Sequence, residues 1–422
     1  HLQFHQPKLK IKKDKWYTLF LRVKADQKMN LAIGLQQNHE PWEGIWYAPR
    51  DIDINWQDFY MTFKSSKSYE DTKLSLSNLG SKICEVDLSS VSLREGTMNL
   101  IPSGDIGGVN IIKRADIDSY SMSVRKDWWQ FLWDTETEYW TGMKDYVKKD
   151  LGCKSLVVGT AVGFSPADIQ AKLDVVDSHS YWQHPVFPNQ PWDSEDWYVN
   201  NISMSGYSNG GTLGSLAAAR VYGKPFIVTE YNHPAPNTYS SEAFLLLSAY
   251  AALQDWDGIF VFSYQSGRDN WNFRKIGNFF DIDQNPTKMA TIPSASTLFL
   301  RSDVMPAYKQ YSINISPIKY MEEATANGSW IGVDKYGMNG SEPLAVRIGQ
   351  SALRTNTKLP IIKSSVVRSD TGQLVWDTVN HSVLLNSPAS AFYNGPCNDK
   401  LIKLNKFNIK ITNAYQNWVS IT

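Results

Sequence analysis

An apolar run ends in a glutamate at Pro225-Phe226-Ile227-Val228-Thr229-Glu230-Tyr231-Asn232-His233-Pro234. Phe226, Ile227 and Val228 are continuously apolar rather than alternating, which predicts a parallel-sheet strand covered on both faces. A carboxylate at the exit of such a strand leaves the packed interior and can serve as a nucleophile. Pro234 and Pro236 stiffen the loop that follows and delay helix formation. The same glutamate can also cap the next helix or pair with a lysine.

Two neighbouring strands end in similar clusters. Val175-Val176-Asp177-Ser178-His179 runs into Ser180-Tyr181-Trp182-Gln183-His184-Pro185, and Gly258-Ile259-Phe260-Val261 runs into Phe262-Ser263-Tyr264-Gln265. A histidine or tyrosine beside a nucleophilic glutamate can hold its carboxylate by a hydrogen bond, so His179 and Tyr181 are expected to join Glu230 in the chemistry. Trp182 offers a flat floor for a ring, while His184, Asn232, His233 and Tyr264 are expected to line subsites. His179 alone reads equally well as a satisfied core histidine. His179, His184 and Glu230 lack the H-E-x-x-H spacing of a zinc site, so neither a metal nor another cofactor is expected.

The elements that must position these residues follow from a pass along the chain. With 422 residues, 42% of them hydrophobic, the chain can bury large cores in several domains. Residues 1–101 alternate polar and apolar in short runs, as in Trp16-Tyr17-Thr18-Leu19-Phe20-Leu21-Arg22-Val23, and predict a β-sandwich. In its first strand Gln3 and His5 share one face, and Leu2 and Phe4 the other. Residues 102–309 change to alternating helices and buried strands. A long helix over Arg125–Asp150 precedes strands at 155–159, 175–179, 225–230 and 258–264, with helices at 214–222 and 241–253 between them. That βα series predicts a parallel sheet, and four strands make half of a (β/α)8 barrel. From 310 to 422 the helices stop, and runs such as 330–334, 344–348, 361–367, 374–377 and 407–411 predict a second β-sandwich.

Composition narrows the partners. The 42 basic and 42 acidic residues are evenly mixed, which gives none of the basic footprint of a nucleic-acid binder. No apolar run is long enough to span a membrane. Aromatic residues reach 13%, with 16 Trp and 21 Tyr, many beside Asn, Gln, Asp or Gly. Sugars present apolar faces and polar edges, so such pairings suit a polysaccharide or oligosaccharide, although β-rich proteins also use aromatics for packing. In the segment Gln36-Gln37-Asn38-His39-Glu40-Pro41-Trp42-Glu43-Gly44-Ile45-Trp46-Tyr47, stacking on Trp42 or Trp46 with hydrogen bonds from Gln3, His5 or Gln37 would make a glycan cleft. Trp42 and Trp46 can instead plug the sandwich edge. Cys84, Cys153 and Cys397 form no evident disulfide framework. The opening at His1 and the strand-like end at Thr422 look like breaks in a longer protein.

The motifs D-S-H-S-Y-W-Q-H-P, I-V-T-E-Y-N-H-P-A-P-N and D-W-D-G-I-F-V-F-S-Y together resemble the second half of a clan A glycoside hydrolase barrel of the family 5 cellulase-like type. Residues 1–101 are similar to jelly-roll carbohydrate-binding modules of the family 4/9 type, and 310–422 to the accessory sandwiches that follow such barrels. The resemblance implies a secreted retaining glycosidase acting on a β-linked polysaccharide, with Glu230 as nucleophile at the end of strand seven. Strand six of the clan maps its His or Tyr onto His179 or Tyr181. One departure stands out. The clan's acid/base follows an asparagine at the end of strand four, and no Asn-Glu pair occurs in this sequence. Glu136 and Glu138 lie in the long helix and read as solvated face residues. A non-catalytic glycan-binding protein is the competing expectation.

Overall fold

The computed structural model describes residues 2–98, 112, 117, 119–266, 274–313, 315–327, 340–350, 358–360, 362–412 and 415–421. The chain divides into two compact units, His1–Leu132 and Trp133–Thr422.

The first unit is a β-sandwich. Its strands are β1 (Phe4–Ile11), β2 (Trp16–Ala25), β3 (Met29–Gln37), β4 (Gly44–Tyr47), β5 (Arg50–Ile52), β6 (Gln57–Lys64), β7 (Tyr69–Ser77) and β8 (Val86–Glu95). One sheet has the order β1-β7-β3-β4, with β5 also on β3, and the other has the order β6-β2-β8. All pairings within them are antiparallel. The alternation along β2 sends Tyr17, Leu19, Leu21, Val23 and Ala25 inward, where they meet Leu31, Ile33 and Leu35 of β3 in one apolar cluster. The expected period-two patterning is realised most clearly in β2, where burial alternates along the whole strand, one face dry and the other wetter.

The boundary between the units falls within α1 (Met122–Asp145), which covers most of the expected long helix. A five-residue π-helical turn, Tyr146–Asp150, completes it. The second unit continues with α2 (Ala167–Gln170), β9 (Val176–Tyr181), α3 (Thr212–Ala219), β10 (Phe226–Asn232), α4 (Ala243–Leu253), β11 (Gly258–Val261) and α5 (Pro286–Leu300). Strands β11-β10-β9 form a parallel sheet in that order. The expected strand at 155–159 is reduced to one parallel bridge between Val158 and Val175. Among the described residues the sheet therefore stops at three strands, and a (β/α)8 barrel or its half is not seen.

After residue 310 the fold departs from an all-β reading. The strands β12 (Gln310–Ile313) and β13 (Arg347–Gln350) pair in parallel, and α6 (Pro317–Asn327) lies between them in sequence. The expected strand at 344–348 is a short 3-10 turn, Glu342–Leu344, followed by β13. The expected strand at 330–334 and the 101/102 boundary lie outside the described residues. The antiparallel part consists of β14 (Val366–Arg368), β15 (Leu374–Asp377), β16 (Ser382–Asn386), β17 (Ser390–Pro396), β18 (Ile402–Lys403), β19 (Asn408–Ile409) and β20 (Tyr415–Ile421). Five of these form the sheet β14-β15-β16-β17-β20, and β18-β19 is a hairpin. Trp376 of β15 is fully buried against Tyr250 of α4, ring centroids 5.4 Å apart, in the same apolar cluster as Phe226 and Val228 of β10. The 309/310 boundary thus lies inside this unit, and the segments on either side share one core.

Candidate functional site

The site is built on a defect in the parallel sheet. Along β9 and β10 the register runs Phe226 with Val176, Ile227 with Asp177 and Val228 with Ser178, then jumps to Glu230 with His179. Thr229 is the extra residue of a β-bulge, a device that bends a strand and re-aims the side chain beside it. Its freed backbone N–H donates to Asp177 Oδ1 at 3.1 Å, and its hydroxyl reaches both carboxylate oxygens of Asp177 at 2.7 and 2.8 Å. Burial pushes the Asp177 carboxyl upward while these Thr229 donors pull it down.

Beyond the bulge, the Tyr181 hydroxyl donates a hydrogen bond to Glu230 Oε2. Burial first, then this bond and the charge of Glu230, push the Tyr181 phenol upward, so it stays a proton donor at any working pH. Oε1 of Glu230 has no hydrogen-bond partner among the described residues. The carboxylate is thus held by one oxygen and presents the other. His179 is the register partner of Glu230, but its ring packs on Phe164, centroids 5.5 Å apart, and no hydrogen bond joins it to Glu230.

Of the residues expected to line subsites here, two are exposed. His184 is exposed, with its ring 5.6 Å from that of Tyr181, and Tyr264 is exposed. Three others are withdrawn, which corrects the expectation that they touch a ligand. Trp182 is buried, donates Nε1–H to the Ile202 carbonyl, and lies so near Gly211 that a Cβ there would sit 3.0 Å from its ring. Asn232 is fully buried; its amide donates to the carbonyls of Phe262 and Phe280 at 2.5 and 2.6 Å and accepts from Lys288 Nζ at 2.7 Å. His233 is fully buried beside the Tyr231 hydroxyl, 3.0 Å from its Nε2, and burial holds its imidazole well below its usual range. These three side chains fix the strand exits from beneath.

Sequence reasoning missed the aromatic wall around Tyr181. The Phe280 ring lies 4.6 Å away and the Phe262 ring 6.0 Å away. The doublet Phe279-Phe280 ahead of Asp281-Ile282-Asp283 was the available signal. Among the described residues no cluster of three or more His, Cys, Asp or Glu is arranged to hold a metal ion, and no helix is long and apolar enough to cross a membrane. The three cysteines are free thiols.

The first unit offers a separate candidate surface on the outer face of β1-β7-β3-β4. Register places His5 opposite Ser75, Ser75 opposite Gly34 and Gly34 opposite Tyr47, so these four residues form one row across the sheet. Gly34 leaves open the space where a Cβ would meet the Tyr47 ring at 3.6 Å, and Tyr47 is 65% exposed. In the next row Gln36 stands opposite Lys73, whose Nζ lies 5.1 Å from the exposed Trp42 ring. Gln3 is exposed just before β1. Two expected contacts are corrected by strand parity. Trp46 pairs with buried Leu35 and stacks on Phe63 at 4.9 Å, so it belongs to the core and Tyr47 faces outward. Gln37 pairs with buried Thr72 and its side-chain Oε1 accepts the Glu43 N–H at 3.2 Å, so Gln36 takes the outer position.

No family model and no curated protein matches the chain. Among solved structures, it is similar over 22% of its length to one described as CBM4, at 22% identity with a TM-score of 0.19, covering 61% of that chain. It is also similar to a CBM1 of BiXyn10A over 22% of its length, at 17% identity with a TM-score of 0.18, covering 60% of that chain. A third is the N-terminal cellulose-binding domain of Cellulomonas fimi β-1,4-glucanase C, similar over 21% of this chain and 64% of its own, at 16% identity with a TM-score of 0.19. The chain thus spans less than two thirds of the length of each of these modules.

Proposed function

We propose that the protein binds a β-linked polysaccharide or oligosaccharide and that Glu230 is the nucleophile of retaining glycoside hydrolysis. The observation that carries this reading is the Tyr181–Glu230 hydrogen bond at two adjacent strand exits, walled by aromatic rings. In the proposed step Oε1 attacks the anomeric carbon, a glycosyl ester forms, and the bond to the leaving group breaks with its electron pair going to the leaving group. Tyr181 orients the carboxylate by donating its hydroxyl hydrogen to Oε2. Hydrolysis of an unactivated glycoside also needs a second carboxyl about 5–5.5 Å away as acid/base. We assign none of this chain's carboxyls to that role. No metal or other cofactor enters the mechanism, and a polysaccharide substrate places the protein outside the cell. In the same reading β9, β10 and β11 are strands six, seven and eight of a (β/α)8 barrel, supported by their parallel order and the helices between them.

A fluoride leaving group departs without a proton, so the nucleophile can be tested without its acid partner. Incubation with a panel of 2-deoxy-2-fluoroglycosyl fluorides should leave one glycosyl adduct on the peptide containing Glu230, read by mass spectrometry. The adduct should be absent in Glu230→Gln. It should form about 10–100-fold more slowly in Tyr181→Phe, the value of a hydrogen bond to a charged acceptor. If no sugar in the panel labels Glu230, the catalytic reading is lost.

The second reading, a non-catalytic glycan-binding protein, is favoured by the lack of an Asn-Glu pair and by the polar and aromatic outer face of the first unit. In affinity electrophoresis on polysaccharide gels, Tyr47→Ala or Trp42→Ala should weaken retardation about tenfold through lost ring stacking, whereas Glu230→Gln should bind like the wild type. Unchanged retardation in both aromatic variants would remove that face from the binding site.

A further inference from the structure

The rings continue outward from the Tyr181–Glu230 pair. His184 lies 5.7 Å from Trp192, and Trp192 packs at 5.2 Å on Phe187. Trp192 is 65% exposed and sits at φ 64°, a backbone conformation that bulky L residues avoid. The loop that carries it is braced. Val186 and Tyr198 exchange both backbone hydrogen bonds, at 2.8 and 3.0 Å, and Asn189 Nδ2 donates to Asp196 Oδ2 at 2.7 Å. A tied-down loop thus holds an indole in solvent two ring contacts and one hydrogen bond from the carboxylate. His184 Nδ1 lies 2.8 Å from the Pro185 carbonyl, which can only accept, so Nδ1 carries the hydrogen and Nε2 of the neutral ring is left as an acceptor. An apolar ring face beside a free polar atom matches the two-sided character of a pyranose.

We propose that Trp192 and His184 form an outer sugar-binding subsite, and that the substrate of the Glu230 site is an oligosaccharide chain longer than a disaccharide. The proposal rests on the glycosidase reading given above. Trp192 supplies the stacking surface and His184 Nε2 accepts a sugar hydroxyl, so binding energy gained away from the reacting carbon speeds glycosylation of Glu230.

The test compares 2-fluoroglycosyl fluorides built on one sugar and on three. In the wild type the trisaccharide reagent should label Glu230 about tenfold faster than the monosaccharide, and Trp192→Ala should bring that ratio close to one. Trp192→Phe, which keeps a flat ring, should recover most of the advantage. A trisaccharide advantage that persists in Trp192→Ala overturns the subsite. If neither reagent labels the wild type, the glycosidase reading fails separately. Titration of β-linked tetrasaccharides, followed by NMR in a Trp42→Ala/Tyr47→Ala background, then decides the subsite alone. About tenfold weaker binding on adding Trp192→Ala supports it, and equal affinity or no binding overturns it.

Discussion

Asp177→Ala is expected to destabilise the second unit by about 2–4 kcal/mol, because a half-buried backbone N–H and a half-buried hydroxyl lose their buried acceptor together. Both belong to Thr229, the bulge residue, and Asp177 is their common partner. Water has little access to replace it, since Asp177 is 6% exposed. The effect should reach the site. Without its clamp the bulge can relax into regular pairing, and a one-residue slip would turn Glu230 to the other face of the strand. Denaturant unfolding of Asp177→Ala, together with Glu230 labelling under native conditions, reads both consequences. Asp177→Asn keeps an acceptor for Thr229 and should cost much less. It also removes a carboxyl whose pKa burial raises, so that ionisation is less favourable in the folded than in the unfolded state, which opposes part of the loss. Equal stability of Asp177→Ala and the wild type would show that the bulge needs no clamp.

Lys288 should impose a pH dependence of similar size. Its ammonium group is buried with Asn232 Oδ1 at 2.7 Å, and burial lowers its pKa to about 7. An unfolded lysine keeps its proton to about pH 10.4. Between pH 7 and 10 the unfolded chain therefore binds one more proton at this position than the folded chain does. Stability then rises with pH, by about 1.4 kcal/mol per unit and about 4 kcal/mol across the window. Below pH 7 both states hold the proton and the dependence vanishes. His233 stays neutral throughout this window and works on the acid side, where protonation of the unfolded chain lowers stability below its ordinary pKa of 6.5. Unfolding free energies of wild type and Lys288→Met at pH 7, 8, 9 and 10 isolate the lysine, because all other titrating groups are common to both. The wild type should gain on the variant at each step. Parallel curves would sink the assignment.

The strand ending at Glu230 was legible because a parallel strand covered on both faces writes a continuous apolar run, and its polar end is conspicuous. Tyr181 was legible as a hydrogen-bonding neighbour because β9 repeats the same grammar. The bulge was not legible, since an extra residue in a strand leaves the composition unchanged and shows only in pairing. Asn232 and His233 looked like site residues because amides and imidazoles are commonly exposed. Asn232 is buried where Lys288, distant in sequence, and the carbonyls of Phe262 and Phe280 satisfy its amide, and His233 is buried beside the Tyr231 hydroxyl. Parallel pairing of β12 with β13 was hidden for a related reason, as its two partners stand on either side of a helix.

Taken by itself, the sequence determined the sandwich at the N-terminus, the parallel βα character of the middle and the position of Glu230 at a strand exit. Each is written in local periodicity, which reports whether a residue's neighbours on its own strand are wet or dry. Only the tertiary structure decided that Tyr47 and Gln36, rather than Trp46 and Gln37, face outward, that Thr229 turns Glu230 toward Tyr181, and that Trp182 is withdrawn while Trp192 is presented. These depend on register and on which distant segment covers a side chain. Loop closure sets both, and residue spacing along the chain does not record it.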